Sequence, residues 1–219
     1  MEVFDKLHAF FWDDPTANNC NTYLLKGEKN ILVDPGHDHL FGHVLDSLSA
    51  LSLELRDIDM VFITHGHPDH IEAVRRFKDL STLVIVPEAE IDFIKDMMAY
   101  YGLREGNMSF EPEILVREGH FKAGDMEFQV IHSPGHSPGS VCLRWIEMNV
   151  LFTGDVVFNQ GVGRTDLPGG SGQTLKESIR RISQLPIDCL LPGHGEPVMG
   201  EKGVKENFRD IERIWFSYM

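Results

Sequence analysis

With 219 residues, 42% of them apolar and 14 of them Phe, the chain carries enough material for one large buried core and lacks the composition of a disordered segment. Its 20 Lys and Arg against 34 Asp and Glu leave a net charge of -14, a field that repels nucleic-acid backbones and anionic membranes. No apolar run reaches the length of a membrane span and the first residues lack the basic and apolar regions of a secretion signal, so a single cytoplasmic domain, 1–219, is expected, with neither nucleic acid nor membrane as partner.

Along the chain, short β-branched or aliphatic runs at 31–33, 60–63, 82–86, 128–131, 141–143, 150–153 and 188–191 are bounded by Gly, Pro or Asp and read as buried strands. Helical patterns lie between and after them, at 40–52, 70–79, 88–101, 173–184 and 203–217. The helix at 88–101 follows Pro87, sets Ile91, Ile94, Met98 and Tyr101 on one face and meets Gly102 as its stop. Covering a core is its expected role, with a lid or a homodimer contact as the alternative. Strands mixed with helices in both halves indicate an α/β layered architecture. Cys20, Cys142 and Cys189 are odd in number, far apart and set in apolar stretches, which suits reduced buried thiols and excludes a disulfide scaffold or a zinc–thiolate site.

Histidine is the unusual residue, with 11 copies gathered mostly beside Gly and Pro. His65, His67, Asp69 and His70 follow the apolar run 60–64, so four metal-ligand side chains sit where a strand ends and a helix begins. The same placement recurs at His136, at Asp155 and at His194, each on a glycine-flanked turn after a strand-like run. Strand ends of a layered sheet face a common edge, so these turns can bring distant residues together. Five imidazoles and two carboxylates without a thiolate suit zinc, iron or manganese. One tetrahedral ion cannot use seven protein groups, whereas two ions sharing a carboxylate and a hydroxide can.

Other polar residues have two readings each. Asp34 either supports a ligand imidazole or is a turn aspartate before Pro35. His37, His39 and His43 read as a solvated helix start, and His132 as support for the turn at His136. Arg164, in a loop of five glycines between Gly161 and Gly172, either receives a substrate carboxylate or pairs with Asp166.

At these residues the sequence resembles the metallo-β-lactamase superfamily, whose motif is His-x-His-x-Asp-His followed by a single His, a Gly-Asp and a final His. The stretch from Leu32 to Gly36 resembles the early strand and turn of that fold, and the loop holding Arg164, Thr165 and Asp166 resembles the branch of glyoxalase II and the persulfide dioxygenases. The resemblance spans almost the whole chain and implies a four-layer αββα sandwich with its metals at an open edge. It implies that His65, His67 and His136 hold one ion, that Asp69, His70 and His194 hold another, and that Asp155 bridges. Asp rather than Cys at 155 points away from the zinc β-lactamases proper, and His67 points away from the flavodiiron relatives. After His194 there is room for one helix, where longer glyoxalase II enzymes carry basic glutathione contacts. The function implied is hydrolysis of an anionic acyl-thiol, a thioester of the hydroxyacylglutathione type, by a hydroxide on two zinc ions with Asp69 and Asp155 as catalytic groups. A persulfide dioxygenase holding one iron on His65, His136 and Asp155 is the alternative, and a noncatalytic metal-binding protein a further one.

Overall fold

Strands β1 (Glu2–Phe4), β2 (Leu7–Phe10), β3 (Thr22–Leu25) and β4 (Ile31–Val33) pair antiparallel in sequence order, and β5 (Met60–Phe62), β6 (Leu83–Pro87) and β7 (Ile114–Val116) continue the same sheet in parallel. The computed structural model describes residues 1–100 and 111–219, the side chains of 98–100 excepted. A second sheet holds β8 (Gly119–Ala123), β9 (Met126–His132), β10 (Val141–Trp145), β11 (Val150–Gly154), β14 (Cys189–Pro192) and β15 (Val198–Met199), antiparallel throughout except where β14 runs parallel to β11. Between them in sequence, β12 (Val157–Phe158) and β13 (Gly161–Val162) form a small hairpin.

The unbroken apolar runs have a direct cause: both faces of each sheet are covered, so strands need not alternate apolar with polar. In β4, Ile31 and Val33 face the second sheet while Leu32 faces outward, and all three are buried. Phe62 and Phe152 likewise lie between the sheets, whereas their neighbours Val61 and Leu151 point to the outer layers. Over the first sheet lie α1 (Gly42–Ala50), α2 (Pro68–Ile71) and α3 (Ile91–Tyr100), the core there including Val44, Leu48, Ile71 and Ile94. Over the second lie α4 (Gly172–Ile182) and α5 (Glu201–Trp215), which bury Leu175, Ile179, Ile182, Val204, Phe208 and Ile211. The result is the expected four-layer αββα sandwich. The three cysteines are free and buried, and among the described residues no helix is long and apolar enough to cross a membrane.

Three local features differ from the sequence reading. Strands β1 to β3, β7, β8, β12, β13 and β15 fall outside the runs read as strands from the sequence. The helix expected over 70–79 is instead α2 followed by a 3-10 segment at Glu72–Phe77, because the Ala73 amide leaves the helical ladder to donate to the Gly36 carbonyl at 2.9 Å. The pattern at 88–101 opens with a 3-10 turn at Glu88–Glu90, whose tighter winding rotates the buried face of α3 onto Phe93, Ile94 and Met97, with Ile91 partly buried. The Met98 side chain, Tyr101 and Gly102, and with them half of the lid or dimer face, lie outside the described residues.

Phe152 is 1% exposed and meets the Tyr23 ring edge-on at 5.4 Å between centroids. Phe152→Ala is expected to remove roughly 3–5 kcal/mol of stability in urea unfolding, and a loss below about 1 kcal/mol would contradict this packing.

Candidate metal centre

One edge of the sandwich collects the chemistry. The parallel strands β4 and β5 end there in Asp34 and in the turn carrying His65 and His67, and α2 then presents Asp69 and His70. The parallel strands β11 and β14 of the other sheet end at the same edge in Asp155 and His194. The turn between β9 and β10, carrying His136, is fastened across the two sheets by the Val141 amide, which donates to the Thr64 carbonyl at 3.0 Å. All seven expected ligands are brought together. Their donor atoms form three overlapping groups, His65–His67–His136, His65–His70–Asp155 and Asp69–His70–His194, each with its atoms within 4.8 Å of one another.

Asp155 lies between the groups. Its Oδ1 is 3.2 Å from His70 Nε2, and its Oδ2 is 3.4 Å from His194 Nε2 and 3.6 Å from His136 Nε2. His67 Nδ1 is 2.8 Å from His136 Nε2, and His194 Nε2 is 3.3 Å from Asp69 Oδ2. Close packing is permitted by missing side chains. A Cβ on Gly193 would stand 2.3 Å from Asp155 Oδ1, and one on Gly163 only 1.8 Å from the Asp155 carbonyl oxygen.

The partners on the far side of each ring select its tautomer. His70 Nδ1 faces Asp34 Oδ2 at 2.8 Å, and a carboxylate only accepts, so Nδ1 carries a proton and, in the neutral ring a metal would require, the Nε2 lone pair faces Asp155. His136 Nδ1 faces the Arg164 carbonyl at 2.8 Å with the same result. Thr64 donates its hydroxyl to Asp34 Oδ2 at 2.7 Å, so its oxygen receives His65 Nδ1 at 3.1 Å and leaves His65 Nε2 unprotonated. Nε2 of His65 and of His70 and Oδ1 of Asp155 are buried without a hydrogen-bond partner; the last two atoms are near each other yet misaligned as donor and acceptor. Buried polar atoms in this condition are rare, and a cation at their focus satisfies them.

The electrostatics agree. Burial, with the imidazoles of His70 and His136, holds His65 well below the ordinary imidazole range. Burial and His136 likewise lower His67 to about 4. Burial also works against charge on His70 and His194, but the Asp155 carboxylate overcomes it, raising His70 well above that range and His194 to about 9. Asp155 and Asp69 are resisted by burial and held low by the facing imidazoles.

Several functional neighbours are invisible in the sequence. Asn18 Nδ2 donates to Asp69 Oδ2 at 2.7 Å. Asn21 Nδ2 donates to the carbonyls of Pro192 and Gly195 at 3.1 and 2.8 Å, and the Tyr23 hydroxyl to Pro192 at 2.6 Å, which fixes the turn of His194 to the opposite sheet. A cluster of Asn just before an apolar run was the one available signal, since Asn is seldom buried. Glu90 is fully buried and accepts from the amides of Gly66 and Gly139 and from the Ser137 hydroxyl, binding the His65–His67 turn to the His136 turn. Burial raises its pKa in spite of those donors.

Of the residues with two readings, Asp34 is the support for His70, and His132 holds the Pro138 carbonyl at 3.1 Å beside the His136 turn. The glycine-rich loop is a wall: a cleft of about 360 Å³ opens over the centre, lined by Asn18, Phe158, Val162, Arg164 and Leu167 together with the candidate ligands His67, Asp69, His136, Asp155 and His194. The Arg164 guanidinium makes a two-pronged pair with Asp166, Nε at 2.9 Å and Nη2 at 2.8 Å. His37, His39 and His43 stay out of the centre and are not a uniformly solvated helix start: His37 pairs with Glu72, and His43 packs on Trp12.

The sequence matches the metallo-β-lactamase superfamily over residues 15–194. It is 34% identical over 186 residues to the probable metallo-hydrolase MJ0888 of Methanocaldococcus jannaschii, covering 81% of this chain and 88% of that one. It is 30% identical over 205 residues to the hydroxyacylglutathione hydrolase GloC of Haemophilus influenzae, covering 89% of this chain and 88% of that one. Among solved structures, TTHA1623 in a di-iron-bound form shares 31% identity at a TM-score of 0.69 over 82% of this chain and 89% of its own.

Glu90→Ala strands two buried amides and a hydroxyl, each worth about 1–3 kcal/mol, so a loss above about 3 kcal/mol is expected in urea unfolding. Retention of stability within about 1 kcal/mol would show that water replaces the carboxylate and that the two turns do not depend on it.

Proposed function

The chain belongs to the metallo-β-lactamase superfamily, whose fold binds divalent metals, and on that premise we propose that it hydrolyses a thioester of the hydroxyacylglutathione type with two metal ions, zinc foremost. In this reading the whole chain, 1–219, is one cytoplasmic domain. His65, His67 and His136 would hold one ion, Asp69, His70 and His194 the other, and Asp155 both. The observation that carries the reading is the Asp155 carboxylate, whose two oxygens face His70 on one side and His136 and His194 on the other. The similarity to GloC supports the substrate class.

When bound, such a pair of ions brings the pKa of water toward neutrality and polarises a carbonyl oxygen. The chain's own part is orientation and exclusion. Asn18 fixes the Asp69 carboxylate, leaving its other oxygen to orient the hydrolytic water. Phe158, Val162 and Leu167 offer an apolar wall to the acyl group, and Arg164 stands on the same cleft to meet a substrate carboxylate. A thiolate leaves readily because thiols ionise at a pKa of about 8.5, so no strong general acid is required, and thioesters are favoured over amides.

Chelation is expected to abolish turnover of a hydroxyacyl thioester of glutathione, and two zinc ions per chain to restore it. Oxygen uptake on a glutathione persulfide by protein holding one iron, or hydrolysis of a β-lactam in place of the thioester, would overturn the reading. Asp155→Ala is expected to lower kcat more than about 100-fold, since it disorganises both ligand groups; activity within about tenfold of wild type would exclude the bridging role.

Arg164→Ala is expected to raise KM about tenfold for a carboxylate-bearing thioester, with little change in kcat and none for a neutral thioester. Equal effects on both substrates would mean that the pair with Asp166 serves only to shape the loop.

A further inference from the structure

A second group of metal-ligand side chains lies outside the centre. His37, His39 and Glu72 place one ligand atom each within 4.8 Å of one another. The sequence alone joined His37 and His39 to a solvated helix start; the fold adds Glu72, from a different segment, and half-buries both His37 and Glu72.

We propose that His37, His39 and Glu72 form a further site for a divalent transition-metal ion of the zinc, nickel or copper class, separate from the centre around Asp155. Two imidazoles, a carboxylate and a water complete a tetrahedral ion, and imidazole-rich sets of this kind favour those metals over magnesium or calcium. The group is built on a fixed frame. The His37 amide donates to Asn19 Oδ1 at 2.8 Å, the Gly36 amide to the His70 carbonyl at 3.3 Å and the Ala73 amide to the Gly36 carbonyl at 2.9 Å. Those bonds stitch the turn carrying His37 to the segment carrying Glu72, and His37 Nδ1 sits 2.8 Å from Glu72 Oε2. An ordinary hydrogen bond accounts for these two residues and no more. It leaves unexplained why the His39 ring stands 5.0 Å from that of His37, turned 47° to it, beside the same carboxylate. His39 is exposed, so its ring can swing into place without disturbing the core.

The local charges permit a cation. Arg75 and Arg76 are basic groups on the same segment; both guanidiniums pair with the Asp38 carboxylate, and Arg75 also feels the Glu72 carboxylate, a charge an ion on Glu72 must outweigh. The chain as a whole is at -14, which favours cation approach. An ion here would tie the turn at 34–37, whose Asp34 holds His70, to the segment that follows α2. Binding to the folded state alone would raise the melting temperature.

The test is zinc stoichiometry of the full chain, stripped and reloaded at micromolar zinc, then desalted and measured by elemental mass spectrometry. His39→Ala is expected to bind one equivalent fewer than wild type and to keep thioester turnover unchanged, and Glu72→Gln to weaken that equivalent at least tenfold. Zinc added to excess is expected to raise the melting temperature of wild type more than that of His39→Ala. Equal stoichiometry in wild type and His39→Ala would overturn the proposal. So would the same one-equivalent loss in His120→Ala, an exposed histidine on β8, since that would mark adventitious capture by surface imidazoles. The difference between variants is read whatever the number of ions at the centre, so this result and the function proposed above stand or fall separately.

Discussion

Asp34 accepts from the Thr64 amide at 2.8 Å, from the Thr64 hydroxyl at 2.7 Å and from His70 Nδ1 at 2.8 Å, all out of reach of water. The carboxylate can only accept, so it dictates where the protons on its neighbours lie. It turns His70 directly, and through Thr64 it turns His65, so that both Nε2 atoms face inward. The orientation of two of the five imidazoles therefore depends on one side chain at the end of β4. Asp34 itself is held at positive φ, 51°, a conformation in which Asp is among the better tolerated side chains.

Around that pivot the fold supplies convergence. Parallel pairs in each sheet bring strand ends to one edge, and the ligand turns would still wander without bonds between them. Glu90 joins the turns of His65, His67 and His136, while Asn21 and Tyr23 join the His194 turn to the first sheet. These contacts are themselves buried, where an unmet donor is costly, so a misplaced turn is penalised at several points together. Loops that would be mobile on a surface become part of the rigid frame.

The centre is electrostatically incomplete by its own residues. Imidazoles compelled to stay neutral stand beside imidazoles pulled toward charge by Asp155, and buried nitrogen and oxygen atoms there lack a hydrogen-bond partner. Such a set is unfavourable in isolation and becomes consistent with a cation at its focus. Among the described residues, the cleft above it pairs an apolar wall of Phe158, Val162 and Leu167 with the guanidinium of Arg164.

How much of this was legible depends on the range of the physics involved. His65, His67, Asp69 and His70 share one short segment, and His136, Asp155 and His194 each carry their own local signature of apolar run, glycine and ligand, so the candidate centre could be read from single stretches of chain. An α/β layered architecture was legible for a similar reason, since strands buried on both faces are apolar without interruption; the αββα order of the layers came only from the resemblance carried by the ligand motif. Glu90 was not legible, because nothing local distinguishes it from Glu88; its partners are Gly66, 24 residues away, and Gly139, 49 away. Asn21 and Tyr23 act on carbonyls more than 160 residues distant, and Glu72 meets His37 across 35. The sequence by itself determined which side chains are candidate ligands, because that candidacy belongs to residue type and short spacing. Only the tertiary structure decided which buried groups orient them and which second cluster forms, because hydrogen bonds and ion pairs act over about 3 Å of space and are indifferent to separation along the chain.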